Sequence, residues 1–192
     1  MANCDGIAMG ATISCTDPLL VGVEQRVLLA NLDDVESFTA TGNLITAITM
    51  KTGKQFYEFA GVNQTIKARW ELVRNATSNS YKHFVDLSVF DVSSAQQDNI
   101  EAMAYKEQVA IVIQRDDTSL GDNAISVYGR NSGLQLLTGA RDLGDTESGA
   151  AAVLNLGTPD EGYIEPNIPS AFQATDYAGT LTAIDVLLAP AV

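Results

Sequence analysis

The chain has 192 residues, with 24 acidic and 11 basic side chains and a formal net charge of −13. A chain of this length suits one domain that buries roughly 70% of its unfolded surface. The acidic balance repels phosphate, which excludes a surface built to grip nucleic acid. The longest apolar stretches, such as residues 109–113, and shorter ones such as 186–189, are far too short to span a bilayer. Residues 1–23 show no basic leader followed by an apolar run. The expectation is a protein that stays in the cytoplasm where it is made, or leaves inside a larger assembly.

The charge is unevenly placed. Residues 116–192 hold eleven acids against two bases, Arg130 and Arg141, whereas residues 64–115 hold six of each. Charged residues make up 18% of the chain, below the usual value of about 25%. Few charges among many Ala, Thr, Ser and Asn residues point to a surface covered by protein contacts.

In chain order, residues 1–23 are rich in Gly, Ala and Thr, contain Pro18, and read as an extended arm. Residues 25–31 form a short apolar run that reads as a strand, and Asp33, Asp34 and Glu36 mark a solvated turn. Residues 44–50 are apolar and β-branched, and Lys51-Thr52-Gly53-Lys54 reads as a hairpin turn into a strand at 55–59. In residues 65–74, Ile66, Ala68, Trp70 and Leu72 alternate with Lys67, Arg69, Glu71 and Val73. That period of two gives one apolar and one charged face. Residues 81–90 alternate again, with Tyr81, His83, Val85, Leu87 and Val89 on one face. The other face, Lys82, Phe84, Asp86, Ser88 and Phe90, is mixed, so both sides suit contact with protein. The two segments read as a long antiparallel hairpin across the polar turn 75–80.

One helix is expected, over about residues 95–106. Ser93 or Ser94 supplies an N-cap, Gln97 completes a capping box with Ser94, and Ile100, Met103 and Ala104 share one face. Residues 109–115 are a continuous apolar run and the best candidate for a central strand. Residues 116–123 read as a loop. Strands at 125–129 and 134–137 flank the turn Arg130-Asn131-Ser132-Gly133 as a second hairpin. Residues 138–149 read as a loop, 151–156 as a strand, and 157–177, with three prolines, as irregular. Residues 180–188 fit a strand or a short helix, and their β-branched content favours the strand. Eight or nine strands and one helix in a single domain, residues 24–192, make the fold class mainly β, a sandwich or barrel.

The residues offer no enzyme-like site, and no cofactor or metal is expected. His83 is the only histidine and lies on an alternating strand among apolar neighbours, which reads as packing or interface rather than catalysis. No nucleophile-elbow, phosphate-loop or dinucleotide-binding motif occurs. Cys4 and Cys15 lack partners for a zinc site, and two free thiols or a disulfide both stay open. Asp116, Asp117 and Asp122, or Asp142, Asp145 and Glu147, supply oxygen ligands of the kind calcium takes. Neither set has EF-hand spacing, and solvated acidic loops look the same. Trp70 lies on the apolar face of its strand, where a core role is expected. The sequons at Asn63 and Asn75 carry no meaning without secretion.

The layout resembles the tail tube (major tail) proteins of long-tailed bacteriophages, as in phages of Bacteroidetes. The resemblance covers most of the chain in order and texture. It runs from the Gly/Ala-rich arm ending in Pro18-Leu19-Leu20-Val21-Gly22-Val23-Glu24, through the long strands 65–90 and the helix at 95–106. It continues through the Tyr128-Gly129 and Gly133-Leu134 pair to an acidic C-terminal region with Pro159, Pro166 and Pro169. It implies two packed antiparallel sheets flanked by a helix. It implies a structural virion protein, not an enzyme, assembled in the host cytoplasm. Six copies would form a ring whose sheets join into one inner barrel. Rings would stack into a tube with other tail proteins at its ends, and DNA would pass through without specific binding or any membrane contact. Excess acid suits such a bore, yet Lys67 and Arg69 share the polar face of the long hairpin. Inter-ring contacts are expected from the arm, from residues 31–42 and from residues 138–149. The alternatives are another virion component (a tail terminator, connector or capsid decoration protein), a monomeric β-barrel for a small ligand, as in lipocalin-like proteins, and, last, a hydrolase using acidic residues.

Overall fold

The computed structural model describes residues 22–62, 65–74, 79–91, 93–114, 124–144, 150–159 and 165–191. Its elements are β1 (Val23–Asn31), β2 (Val35–Thr41), β3 (Leu44–Met50), β4 (Tyr57–Ala60), β5 (Lys67–Arg74), β6 (Asn79–Val89), α1 (Ser94–Met103), β7 (Gln108–Gln114), β8 (Ile125–Tyr128), β9 (Gln135–Arg141), β10 (Ala152–Gly157), β11 (Ser170–Phe172) and α2 (Tyr177–Leu187). The strands form a seven-stranded sheet in the order β2-β3-β11-β8-β7-β1-β4 and a four-stranded sheet in the order β5-β6-β10-β9. The fold is therefore mainly β, with two packed sheets. Neither sheet closes into a barrel among the described residues. Every pairing is antiparallel except β11 beside β3, which is parallel.

The large sheet is covered on both faces. One side, through Val27, Leu29, Ala110 and Val112, packs on Val85, Leu87, Leu154 and Leu156 of the small sheet. The other, through Leu28, Ile45, Ile111 and Ile113, packs on Ile184 and Leu187 of α2. This is why β7 reads as an unbroken apolar run: a central strand between two hydrophobic layers has no face to give to water. Fully burying side chains of this kind stabilises by roughly 1.5–3 kcal/mol each before entropy is counted. Met103 and Ile100 of α1 reach the core between the sheets.

Several elements differ from expectation, each for a local reason. The C-terminal segment is a helix, α2, not a strand. Asp176 caps it, its carboxylate accepting from the Gly179 amide at 2.7 Å, and Thr180 donates its hydroxyl to the Asp176 carbonyl at 2.6 Å. Buried Thr180, Ile184 and Leu187 fall on one stripe of period 3.6, which outweighs the β-branched content. Helix α1 begins and ends earlier than residues 95–106, with Ser93, not Ser94, as the cap accepting from the Gln96 amide.

The turn at Lys51–Lys54 does not make a hairpin. The Gly53 amide bonds to the Ala191 carbonyl, the Ala191 amide to Lys54, and the Phe56 amide to Leu187. The chain is thereby tied to the C-terminal end of α2 and delivered to the far edge, where β4 pairs with β1. The turn 130–133 likewise joins no hairpin. It carries the chain from β8 in the large sheet to β9 in the small one. Strand β2 occupies most of the expected loop 31–42, β9 takes the first residues of the expected loop 138–149, and β11 interrupts the irregular 157–177.

Candidate functional site

The four-stranded sheet carries the exposed chemistry. β5 and β6 pair as a hairpin from Lys67 opposite Asp86 to Arg74 opposite Asn79. The faces fall as alternation requires, and His83, Val85, Leu87 and Val89 point inward and are buried. On β5 and its lead-in, however, only Ile66 is buried, whereas Trp70 is 47% and Leu72 44% exposed. The core role expected for Trp70 is overturned. The cause is the offset of the strands: β10 pairs with β6 only from Phe84 to Val89, so the half of β5 opposite Asn79–His83 overruns the sheet. There Trp70 packs edge-on against Tyr81, with ring centroids 5.8 Å apart.

The outer face of this sheet holds Lys67, Arg69 and Glu71 beside Lys82, Phe84 and Asp86. Arg69 donates from Nη1 to Asp86 Oδ2 at 3.0 Å and from Nε to Glu71 Oε1 at 3.5 Å, and its guanidinium lies 4.2 Å from the centroid of the Phe84 ring. Asn155 Nδ2 donates to the other oxygen of Asp86. Exposed pairs of this kind stabilise by about 1 kcal/mol at most. Their main effect is to cancel the charge of Arg69 within its own chain. Gly157 stands between Phe84 and Leu137 on neighbouring strands. A Cβ at Gly157 would stand 2.7 Å from Leu137 Cδ1 and 2.8 Å from Phe84 Cδ1.

Both edges of the sheet, β5 and β9, lack a partner strand among the described residues. Between the β9 edge and α1 lies an open groove of about 470 Å³, lined by Ile100, Glu101, Ala104, Leu136, Gly139 and Leu154 among others. Gly139 is part of its wall, where a Cβ would stand 3.3 Å from Leu154 Cδ2.

His83 belongs to a closed polar network rather than to a reactive site. Its Nδ1 accepts from the Gly129 amide at 3.2 Å, and its Nε2 lies 3.0 Å from the Asn167 carbonyl, to which it donates. That pattern fixes the neutral ring with the proton on Nε2. Burial holds the ring below its ordinary 6.5, against the opposing pull of the Glu165 charge and the Asn167 carbonyl. Tyr128 stands edge-on at 5.5 Å, and burial pushes its phenol up to about 12. Glu165, 1% exposed, accepts from the Asn131 amide (2.9 Å), the Ser132 amide (2.8 Å) and Asn131 Nδ2 (2.8 Å). The network thus pins the crossover between the sheets. With both ring nitrogens engaged, His83 offers neither a base nor a ligand position.

Sequence reading singles out His83 and misses Glu165, Asn131 and the groove. Glu165 stands between Ile164 and Pro166 in a segment with no period, and only its apolar neighbours hint at burial. Of the acidic sets, Asp142 makes a turn, accepting from the Gly144 amide at 2.8 Å. No cluster of three metal-ligating side chains occurs among the described residues. Cys4, Cys15, Asn63, Asn75, Asp116, Asp117, Asp122, Asp145, Glu147 and residues 1–21 of the arm lie outside the described residues. No described helix is long and apolar enough to cross a membrane. Compared with family models, curated proteins and solved structures, the chain matches none of them.

Proposed function

We propose that the chain is a structural, self-assembling subunit that closes into rings by joining the β5 edge of one copy to the β9 edge of the next. In the form that its resemblance implies, six copies make each ring, and stacked rings make a phage tail tube through which DNA passes. One observation carries the reading: a small sheet whose two edge strands lack partners among the described residues, on a chain that covers both faces of its large sheet. In the order β5-β6-β10-β9 each strand runs opposite to its neighbour. β5 of a rotated copy therefore meets β9 in the antiparallel sense, and the alternation continues around the ring without a break. Closure of this kind removes the exposed edges that otherwise invite aggregation.

The outer face of the small sheet, which would line the bore, supports passage without gripping. DNA is held by cations that contact phosphate, and Arg69 is already neutralised by Glu71 and Asp86. Lys67 and Lys82 lie on the same face, so the cancellation is argued for Arg69 alone, and the reading does not require a wall of acid. Other virion parts that form rings, such as a tail terminator or connector, share the same logic. The monomeric ligand-binding barrel loses ground because both sheets are open among the described residues. Light scattering on the purified protein tests the reading. Ring formation predicts a mass that is a multiple of the 20.4 kDa chain, and a single-chain mass at all concentrations refutes it.

A further inference from the structure

We infer that Trp70, Leu72 and Arg74 at the overrunning end of β5 dock into the groove between α1 and β9 of the neighbouring copy. The inference rests on the ring reading above and names the contact that locks one copy to the next.

Three observations meet here. First, the side chains lie on the correct face. Trp70, Leu72 and Arg74 share the core-facing side of β5, the side on which α1 covers β9 at the opposite edge of the same sheet. Trp70 and Leu72 are half-exposed there, and the groove offers them the apolar side chains of Ile100, Leu136 and Leu154.

Second, the sheet is already sheared. β5 pairs with β6 over residues 79–86, while β10 pairs with it over 84–89 and β9 lies beyond β10. Closing a sheet into a barrel requires tilted strands and a constant stagger. A strip that continues with the same slope brings the overrunning half of β5 alongside the Thr138–Arg141 half of β9, which lines the groove.

Third, the charges match. Arg74 is exposed and has no ion pair among the described residues, and exposed Glu101 on α1, also without one, stands at the groove. The groove's own cation, Arg141, is tied back by Nε to the Ala150 carbonyl at 3.0 Å.

Trp70 is the only tryptophan, so its fluorescence reports the contact directly. Assembled full-length protein is predicted to emit at shorter wavelength than the dissociated chain and to resist quenching by iodide or acrylamide. Reversal of either charge, R74E or E101R, is predicted to raise the concentration for half-assembly about fivefold. The double variant R74E/E101R is predicted to restore it. Circular dichroism of each variant checks the fold, which these exposed positions do not determine. Rings in which Trp70 stays fully quenchable overturn the inference and leave the ring reading intact, since another occupant, such as residues 1–21, then holds the groove. Failure of the double variant to recover overturns the ion pair. A chain that never assembles overturns both the docking contact and the ring.

Discussion

Replacing Glu165 tests whether the buried polar network is what pins the crossover between the sheets. Its carboxylate accepts three hydrogen bonds, two from the successive amides of Asn131 and Ser132 and one from Asn131 Nδ2, all between 2.8 and 2.9 Å. A hydrogen bond to a charged group is worth about 1.5–3 kcal/mol, while a donor that water can reach recovers part of what it loses. Asn131 is exposed and Ser132 half-buried, so the three bonds do not sum in full. Glu165→Ala should cost about 3–5 kcal/mol, including the void left at a site 1% exposed. Glu165→Gln keeps the shape and one carbonyl oxygen for the two amides, but turns a donor towards Asn131 Nδ2, and should cost about 1–2 kcal/mol. Urea unfolding at one fixed chain concentration, read by circular dichroism, measures both as shifts in midpoint at unchanged slope. An Ala variant within about 0.5 kcal/mol of the parent, the range of ordinary surface changes, would refute the reasoning. So would a Gln variant as unstable as the Ala one.

The same structure sets two further outcomes. The His83 ring is held neutral, its proton affinity in the folded state below the ordinary 6.5. The unfolded chain therefore takes up a proton that the folded chain refuses as pH falls. The stability from neutral His83 is whole above pH 6.5 and is lost below it, with a slope approaching about 1.4 kcal/mol per pH unit. His83→Gln should flatten that part of a stability profile, and an unchanged slope between pH 6.5 and 5.5 would count against the neutral ring. For α2, Ile184→Ala should cost about 2–5 kcal/mol because Ile184 is fully buried. Val186→Ala should change stability by less than about 0.5 kcal/mol because Val186 points to solvent. A strand would put both residues on one face and make both costly, so thermal melts of the pair separate helix from strand.

Much of the architecture is legible where one periodicity rules a segment. β3, β5, β6 and β7 lie within two residues of their expected limits, because alternation or an unbroken apolar run leaves one reading. The failures share a cause, which is that local pattern does not encode partners. The residues at Lys51–Lys54 and 130–133 have turn chemistry, and both do turn the chain. The destination of the chain after each turn is decided by the C-terminal tail of α2 in one case and by Glu165 in the other, both more than 30 residues away in sequence. β2 is hidden by Asp33, Asp34 and Glu36. As an edge strand it exposes most of its side chains, so acids cost it little. Trp70 is misplaced because the pattern gives its face but not where the covering layer stops. Cys4, Cys15 and the acidic residues 116–122 fall outside the described residues, and the expectations for them stand as sequence readings.

Negative-stain electron microscopy of the purified full-length protein bears most directly on whether this sheet is a wall segment waiting for its neighbours. The account predicts closed six-fold rings, alone or stacked, with a central channel. A field of separate particles of single-chain size, at concentrations well above those that assemble comparable subunits, would contradict it.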